Sequence, residues 1–127
     1  MLLQLASVAL GGAIGAMMRF SLTLIFPFVP GQLPIASLAA NVAGCLIMGS
    51  VYFWLEHGTL NSAFKPLIVA GFLGALTTFS TFALEAWLLL QHNAHLVAIV
   101  HVLVNVVACI AAVAIGYMLA GMLGRIA

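Results

Sequence analysis

The densest group of side chains that could bind an ion lies between residues 77 and 82, where the sequence reads Thr-Thr-Phe-Ser-Thr-Phe. Four of these six residues carry a hydroxyl group, which can donate a hydrogen bond. Phe79 and Phe82 are three residues apart, so a helix would bring their rings to one side, and a phenyl ring is positive at its edge. Hydroxyl hydrogens and ring edges together make a neutral, donor-rich surface that suits a small anion. The alternative is that both rings only pack the core.

A few other polar side chains interrupt the apolar sequence. Asn41 and Asn105 each offer two amide donors, although bonding between helices is their simpler role. His101 precedes Asn105 by four residues and shares its helical face, where a neutral, hydrogen-bonded imidazole is expected. Arg19 and Glu85 are the charged residues deepest within apolar runs. They are expected to pair or to line a water-filled vestibule, and Arg19 could instead extend to the surface.

Nothing in the sequence is arranged for covalent chemistry, since it has no nucleophile beside a base, no carboxylate pair and no phosphate-binding glycine loop. The net charge is +1, which is too small for a nucleic-acid footprint. Cys45 and Cys109 both fall in apolar runs and are expected to act as small packing residues rather than as a disulfide. These features predict a protein that binds and passes a ligand, not an enzyme.

The elements that must position these residues are membrane spans. The chain of 127 residues is 66% hydrophobic and 4% charged, whereas soluble domains carry about 25% charged residues. Four apolar runs each reach the roughly 20 residues needed to cross a bilayer, and the first is too long for a signal peptide. We predict one all-α integral membrane domain over residues 1–127. Its four transmembrane helices cover about 3–26, 35–55, 66–90 and 96–123.

The third span is predicted to break near the middle of the membrane. Gly71 and Gly74 come directly before the hydroxyl-rich stretch, and serine and threonine can redirect backbone hydrogen bonds. Broken backbone at membrane depth is tolerated only where it faces protein or a water-filled cavity. A simple kink without a binding role is the alternative.

The packing of four thin helices favours an oligomer, and the charge pattern permits an antiparallel dimer. Gly11 and Gly15 form a GxxxG pattern that allows close approach of helices, and four thin helices bury little by themselves. Lys65 and Arg125 would lie on one side of the membrane and Arg19 on the other. This small difference orients the chain weakly, so an antiparallel pair becomes possible.

The sequence resembles the Fluc (CrcB) family of bacterial fluoride channels along essentially its whole length. The stretch 77–82 is the most specific part of the resemblance, and the glycine-rich start alone would be weak. The segments that carry it are Gly11-Gly12-Ala13-Ile14-Gly15 with Arg19-Phe20, Ala40-Asn41 with Gly44, and residues 74–82 with Glu85.

The resemblance implies an antiparallel, dual-topology dimer in the bacterial inner membrane, with two fluoride pores that both subunits line. Its partners would be fluoride, an inverted second copy and lipid, and it would bind no nucleic acid. Its activity would be passive fluoride efflux, which gives fluoride resistance. The residues that it assigns to the pore are Phe79, Phe82, Asn41, Ser80, Thr81 and Asn105.

The resemblance also implies two supporting sites. Arg19 would be a vestibule arginine, and Glu85 would lie near a pore mouth. The backbone carbonyls of Gly74 and Thr77 would bind a structural sodium ion (Na+) at the centre of the dimer, shared across its axis.

The fourth helix departs from the family pattern. The family has hydroxyl residues four apart along this helix, whereas the matching positions here are His101, Asn105, Cys109 and Val113. Cys109 is a weak donor and Val113 is none. One alternative is therefore a non-conducting or half-active subunit of a heterodimeric fluoride channel. Another is a small multidrug-type transporter, but that mechanism needs a glutamate in the first span, where only Arg19 is charged.

Overall fold

The structure is a computed structural model that describes residues 1–124, so Arg125, used in the charge argument, lies outside the described residues. Those residues form helices and no strand. Four helical segments are long and apolar enough to cross a membrane, which confirms the predicted four-helix plan. They are α1 (Leu2–Ile25), α2 (Ile35–Glu56), a composite third segment over Ser62–Gln91, and α5 (His95–Leu123).

The third segment changes its winding along its length. It begins with a 3₁₀ turn at Ser62–Phe64 and continues as a π-helix at Pro66–Leu73. A short α-helical turn, α3 (Gly74–Leu76), follows, and α4 (Phe79–Gln91) completes the segment. Wide π turns are rare and are frequently found at functional sites. This segment is therefore the least regular of the four, and it carries the hydroxyl-rich stretch.

Helix α1 packs on the π-helical segment through bare backbone. Gly11 and Gly15 are the buried residues of α1. A Cβ atom added to Gly11 would lie 2.8 Å from the backbone nitrogen of Phe72, and one added to Gly15 would lie 3.0 Å from that of Leu76. No side chain fits at either position without moving the backbone. The GxxxG pattern therefore does bring two helices together, as predicted from the spacing.

Helices α2 and α5 run parallel. Asn41 bonds to Asn105, 64 positions later. Two turns further along, a Cβ atom on Gly49 would lie 2.9 Å from both the Val113 carbonyl carbon and the Tyr117 nitrogen. Because a later residue of α2 contacts a later residue of α5, the two helices point in the same direction, as two spans separated by one other span must.

Most of the outer surface is apolar. Large apolar side chains along α1 and α5 are exposed, including Leu24 and Val107 at 67% and 64%. The buried apolar set is small, and its central cluster is Ala40, Leu73 and Leu76. Such a surface suits contact with lipid or with another membrane protein rather than with water.

Candidate functional site

The third segment is interrupted at Thr77 and Thr78. Thr77 has an extended backbone with ψ of 150°, and Thr78 follows with φ of −150° and ψ of 118°. Helix α4 then starts at Phe79, and the Thr78 hydroxyl caps it by accepting the N–H of Thr81 at 3.2 Å. A threonine at this position stabilises a helix start because it satisfies a backbone donor that has no helical partner.

Asn41 holds the interruption in place from the neighbouring helix. Its side-chain oxygen accepts the backbone N–H of Thr78 at 2.8 Å, and its amide nitrogen lies 3.4 Å from the Thr78 carbonyl oxygen. The same nitrogen donates to the side-chain oxygen of Asn105 at 3.0 Å. One amide therefore replaces lost helical bonds and links α2, the break and α5.

The polar contacts continue from Asn105 into the interior. The amide nitrogen of Asn105 lies 3.5 Å from Nδ1 of His101, whose Nε2 lies 3.5 Å from a carboxylate oxygen of Glu85. Glu85 also accepts a hydrogen bond from the hydroxyl of Ser37. All of these side chains are buried. A line of neighbouring polar groups, the polar line, thus runs through the helices, although His101 Nε2 makes no hydrogen bond within the described residues. Its members are Thr78, Asn41, Asn105, His101, Glu85 and Ser37.

The two phenylalanines lie beside this polar line. Their ring centroids are 5.4 Å apart at an interplanar angle of 53°. Phe82 is 8% exposed and lies 5.1 Å from the His101 ring, whereas Phe79 is 79% exposed. The rings are neighbours, as their spacing predicts, but only one of them is covered by its own chain. Phe79 projects from the surface.

A cavity of about 250 Å³ opens beside the break. The hydroxyls of Ser80 and Thr81 lie 3.3 Å and 3.1 Å from the Thr78 hydroxyl, so a cluster of three hydroxyl groups stands near its edge. The cavity is lined by Asn41, Gly44, Cys45, Met48, Thr77, Thr78, Phe79 and Cys109.

Arg19 and Glu85, the charged residues deepest inside the spans, do not pair in the described residues. The Arg19 guanidinium donates to the carbonyl oxygen of Ala75 at 3.0 Å, while the Glu85 carboxylate bonds to Ser37. Arg19 therefore supports the third segment two residues before the break. Glu85 is 7% exposed and belongs to the interior of the bundle.

Two backbone carbonyls at the break have lost their helical donors. In a regular helix, the carbonyls of Gly74 and Thr77 would accept the N–H groups of Thr78 and Thr81. Here the Thr78 N–H donates to Asn41, and the Thr81 N–H donates to the Thr78 hydroxyl. Free carbonyl oxygens are ligands that a hard cation accepts. The residues at Gly74 and Thr77 therefore fit a bound sodium ion.

Sequence reasoning did not identify Ser37 or the approach of His101 to Glu85. A signal for Ser37 was present, because Ser37, Asn41 and Cys45 are spaced four apart on α2, as His101, Asn105 and Cys109 are on α5. Such spacing marks one polar face on each helix but does not show that His101 approaches Glu85. Val113, the last position of the fourth-helix track, lines a different cavity together with Tyr52 and Glu56.

Comparison with known proteins identifies relatives along most of the chain. The profile of the family described as "CrcB-like protein, Camphor Resistance (CrcB)" matches residues 6–117. A fluoride-specific ion channel FluC from Aeromonas salmonicida is 41% identical over 114 residues, covering 88% of this chain and 91% of the relative. The FluC of Shewanella amazonensis is 42% identical over 113 residues, with the same coverage of each chain. That of Methanococcus maripaludis is 35% identical over 113 residues, covering 89% and 92%.

Proposed function

This chain belongs to the CrcB-like family, and on that premise we propose that it is a fluoride-selective channel for passive fluoride efflux across the bacterial inner membrane. The observation that carries the proposal is the Phe79 and Phe82 ring pair, which lies beside the polar line. Neutral donors and ring edges attract an anion without offering a fixed positive charge that would trap it. The protein acts as a channel and not as an enzyme.

The chemistry of fluoride explains this choice of side chains. Fluoride is small and strongly hydrated, so a pore must replace its water shell with other donors. The Asn41 and Asn105 amides, the Ser80 and Thr81 hydroxyls and the two ring edges are the replacements that we propose. Hydrogen fluoride enters cells as a neutral molecule and dissociates inside, so a selective exit protects the cell. Expression in a bacterium that lacks its own fluoride channel should restore growth in fluoride, and failure to do so in an inserted, stable protein would contradict the proposal.

We propose that two copies in opposite orientations complete each pore, with the break of the third segment near the middle of the membrane. Gly74, Phe79 and Ser80 are exposed on the described chain, so part of the proposed pathway is open on one side. A second copy packed on this face would close it. The weak charge bias of the sequence permits both insertions.

Labelling from each side of the cell membrane tests the dual topology. Thr59 lies in the exposed turn after α2, so a Thr59→Cys variant with Cys45 and Cys109 replaced by serine carries a single reactive thiol. We expect about half of the chains to react with an impermeant maleimide added outside and the rest only after the cells are opened, as equal insertion requires. Labelling from one side alone would exclude this arrangement.

We also propose that sodium is held by the Gly74 and Thr77 carbonyls at the dimer centre. Both carbonyls have lost their helical donors, and Gly74 lies on the exposed face, where a second copy could share the ion. The dimer should therefore resist thermal dissociation better in sodium than in a large organic cation such as N-methylglucamine, by about 5 °C or more. Equal midpoints in the two cations would rule out a structural sodium ion.

A further inference from the structure

The two cysteines of the chain face each other across α2 and α5. Cys109 comes 64 residues after Cys45. Asn41 and Asn105, which are hydrogen bonded one turn earlier, have the same separation, and so do Gly49 and Val113, which are in backbone contact one turn later. A pair of helices held together at both neighbouring turns must also bring the intervening side chains together. Cys45 and Cys109 therefore lie on the facing sides of the two helices, and both are free.

Both thiols also line the 250 Å³ cavity beside the break, and a third sulfur joins them there. Met48 lies one turn after Cys45 on α2, and its side chain lines the same cavity. Thiols and thioethers are the ligands that soft metal ions select. Within residues 1–124, no three His, Cys, Asp or Glu side chains are placed to hold a metal, so Cys45 and Cys109 have no third side chain of these types beside them. The three sulfur atoms are soft donors, and they suit a metal ion that binds only two or three ligands.

We propose that Cys45 and Cys109 form a binding site for one soft metal ion of the Cu+, Ag+ or Hg2+ class, with the Met48 thioether as an auxiliary ligand. On binding, each thiol releases its proton to water and each sulfur forms one bond to the metal. No group is oxidised or reduced. A metal bound here would link α2 to α5 one helical turn after the Asn41–Asn105 pair.

Metal at this site should also stop ion flow, a consequence that rests on the proposed function. The cavity that the ion would enter is lined by Asn41 and Phe79, two of the proposed pore residues. A bound ion takes up part of that space and fixes the cysteines beside Asn41. Fluoride efflux is therefore expected to fall when the metal is added.

Mercuric nitrate and native mass spectrometry of the purified dimer test the site directly. We expect each chain to gain one mercury and lose two hydrogens, because two thiolates share one ion. Cys45→Ser and Cys109→Ser should each bind mercury about 100-fold more weakly, since the second sulfur no longer acts at high effective concentration. Met48→Leu removes only the auxiliary ligand, so it should weaken binding less than either serine variant and keep the stoichiometry and the loss of two hydrogens. Met118→Leu is the control, because Met118 is 66% exposed on α5 and does not line this cavity.

Two mercury ions per chain, each displacing one hydrogen, would overturn the site, as would single-serine variants that bind as tightly as the natural chain. The measurement on the natural chain needs no substitution, so it decides the matter even if a variant does not assemble. In proteoliposomes, full fluoride efflux with mercury bound would overturn the placement beside the pathway. A chain that conducts no fluoride at all would contradict the proposed function, while the mass measurement would still decide the site.

Discussion

Replacing Phe79 or Phe82 with isoleucine should reduce fluoride flux by about tenfold or more, which corresponds to about 1.4 kcal/mol of lost stabilisation for the moving ion. Isoleucine keeps apolar bulk but removes the ring and its positive edge. The two substitutions should differ in their effect on folding. Phe82 is 8% exposed and lies against His101, whereas Phe79 is 79% exposed. Phe82→Ile should therefore also lower the free energy of unfolding, by about 1–2 kcal/mol. Phe79→Ile should not lower it, because the Phe79 side chain makes few contacts within its own chain.

Fluoride efflux from proteoliposomes and the thermal midpoint of the dimer separate these effects. Phe64→Ile is the matched control, because Phe64 lies half exposed in the 3₁₀ turn that begins the third segment and is not a member of the polar line. It should conduct normally. Unchanged flux in both ring variants would defeat the proposed role of the rings. If both variants lost flux together with folding, the rings would be core residues, the alternative that the sequence left open.

Asn41→Leu should abolish most of the flux and also destabilise the protein. The substitution leaves the Thr78 N–H and the Asn105 oxygen without the partners that they have at 2.8 Å and 3.0 Å. Each buried polar group left unpaired costs about 1–3 kcal/mol. The break at Thr77 and Thr78 would then lose the amide that holds it, and the proposed pathway would lose a donor. Fluoride efflux from proteoliposomes and the thermal midpoint of the dimer measure these two effects.

Asn61→Leu provides a matched control for this substitution. Asn61 also accepts a backbone N–H, that of Ala63 at 2.9 Å, but it does so in an exposed turn. Its replacement should cost about 0.5–2 kcal/mol of local helix stability and leave flux unchanged. If Asn41→Leu behaved like Asn61→Leu in both measurements, Asn41 would hold neither the break nor the ion.

The sequence was sufficient to predict features that depend on one helix at a time. The four spans follow from the length of the apolar runs, and the side-by-side rings of Phe79 and Phe82 follow from helical spacing. The close packing of α1 follows from Gly11 and Gly15. Each of these depends on a local period, and the period is visible in a single chain.

Features that depend on contact between helices could not be predicted from the sequence. Helical spacing tells which residues share a face, but it does not tell how far one helix slides along another. The register of α2 on α5 is set by backbone contact at Gly49 and Gly116. That register brings Asn41 to Asn105. The position of Arg19 on the Ala75 carbonyl likewise depends on how α1 docks, so pairing with Glu85 could not be decided beforehand.

The central claim is most directly tested by anion efflux from proteoliposomes that contain this chain alone. We expect rapid fluoride release and no comparable release of chloride, because the proposed pathway has donors suited to a small, strongly hydrated ion. Release by a single kind of chain would also exclude an obligate heterodimer, and its independence of a proton gradient would exclude a coupled multidrug transporter. Absence of fluoride release from stable, correctly inserted protein would contradict the account.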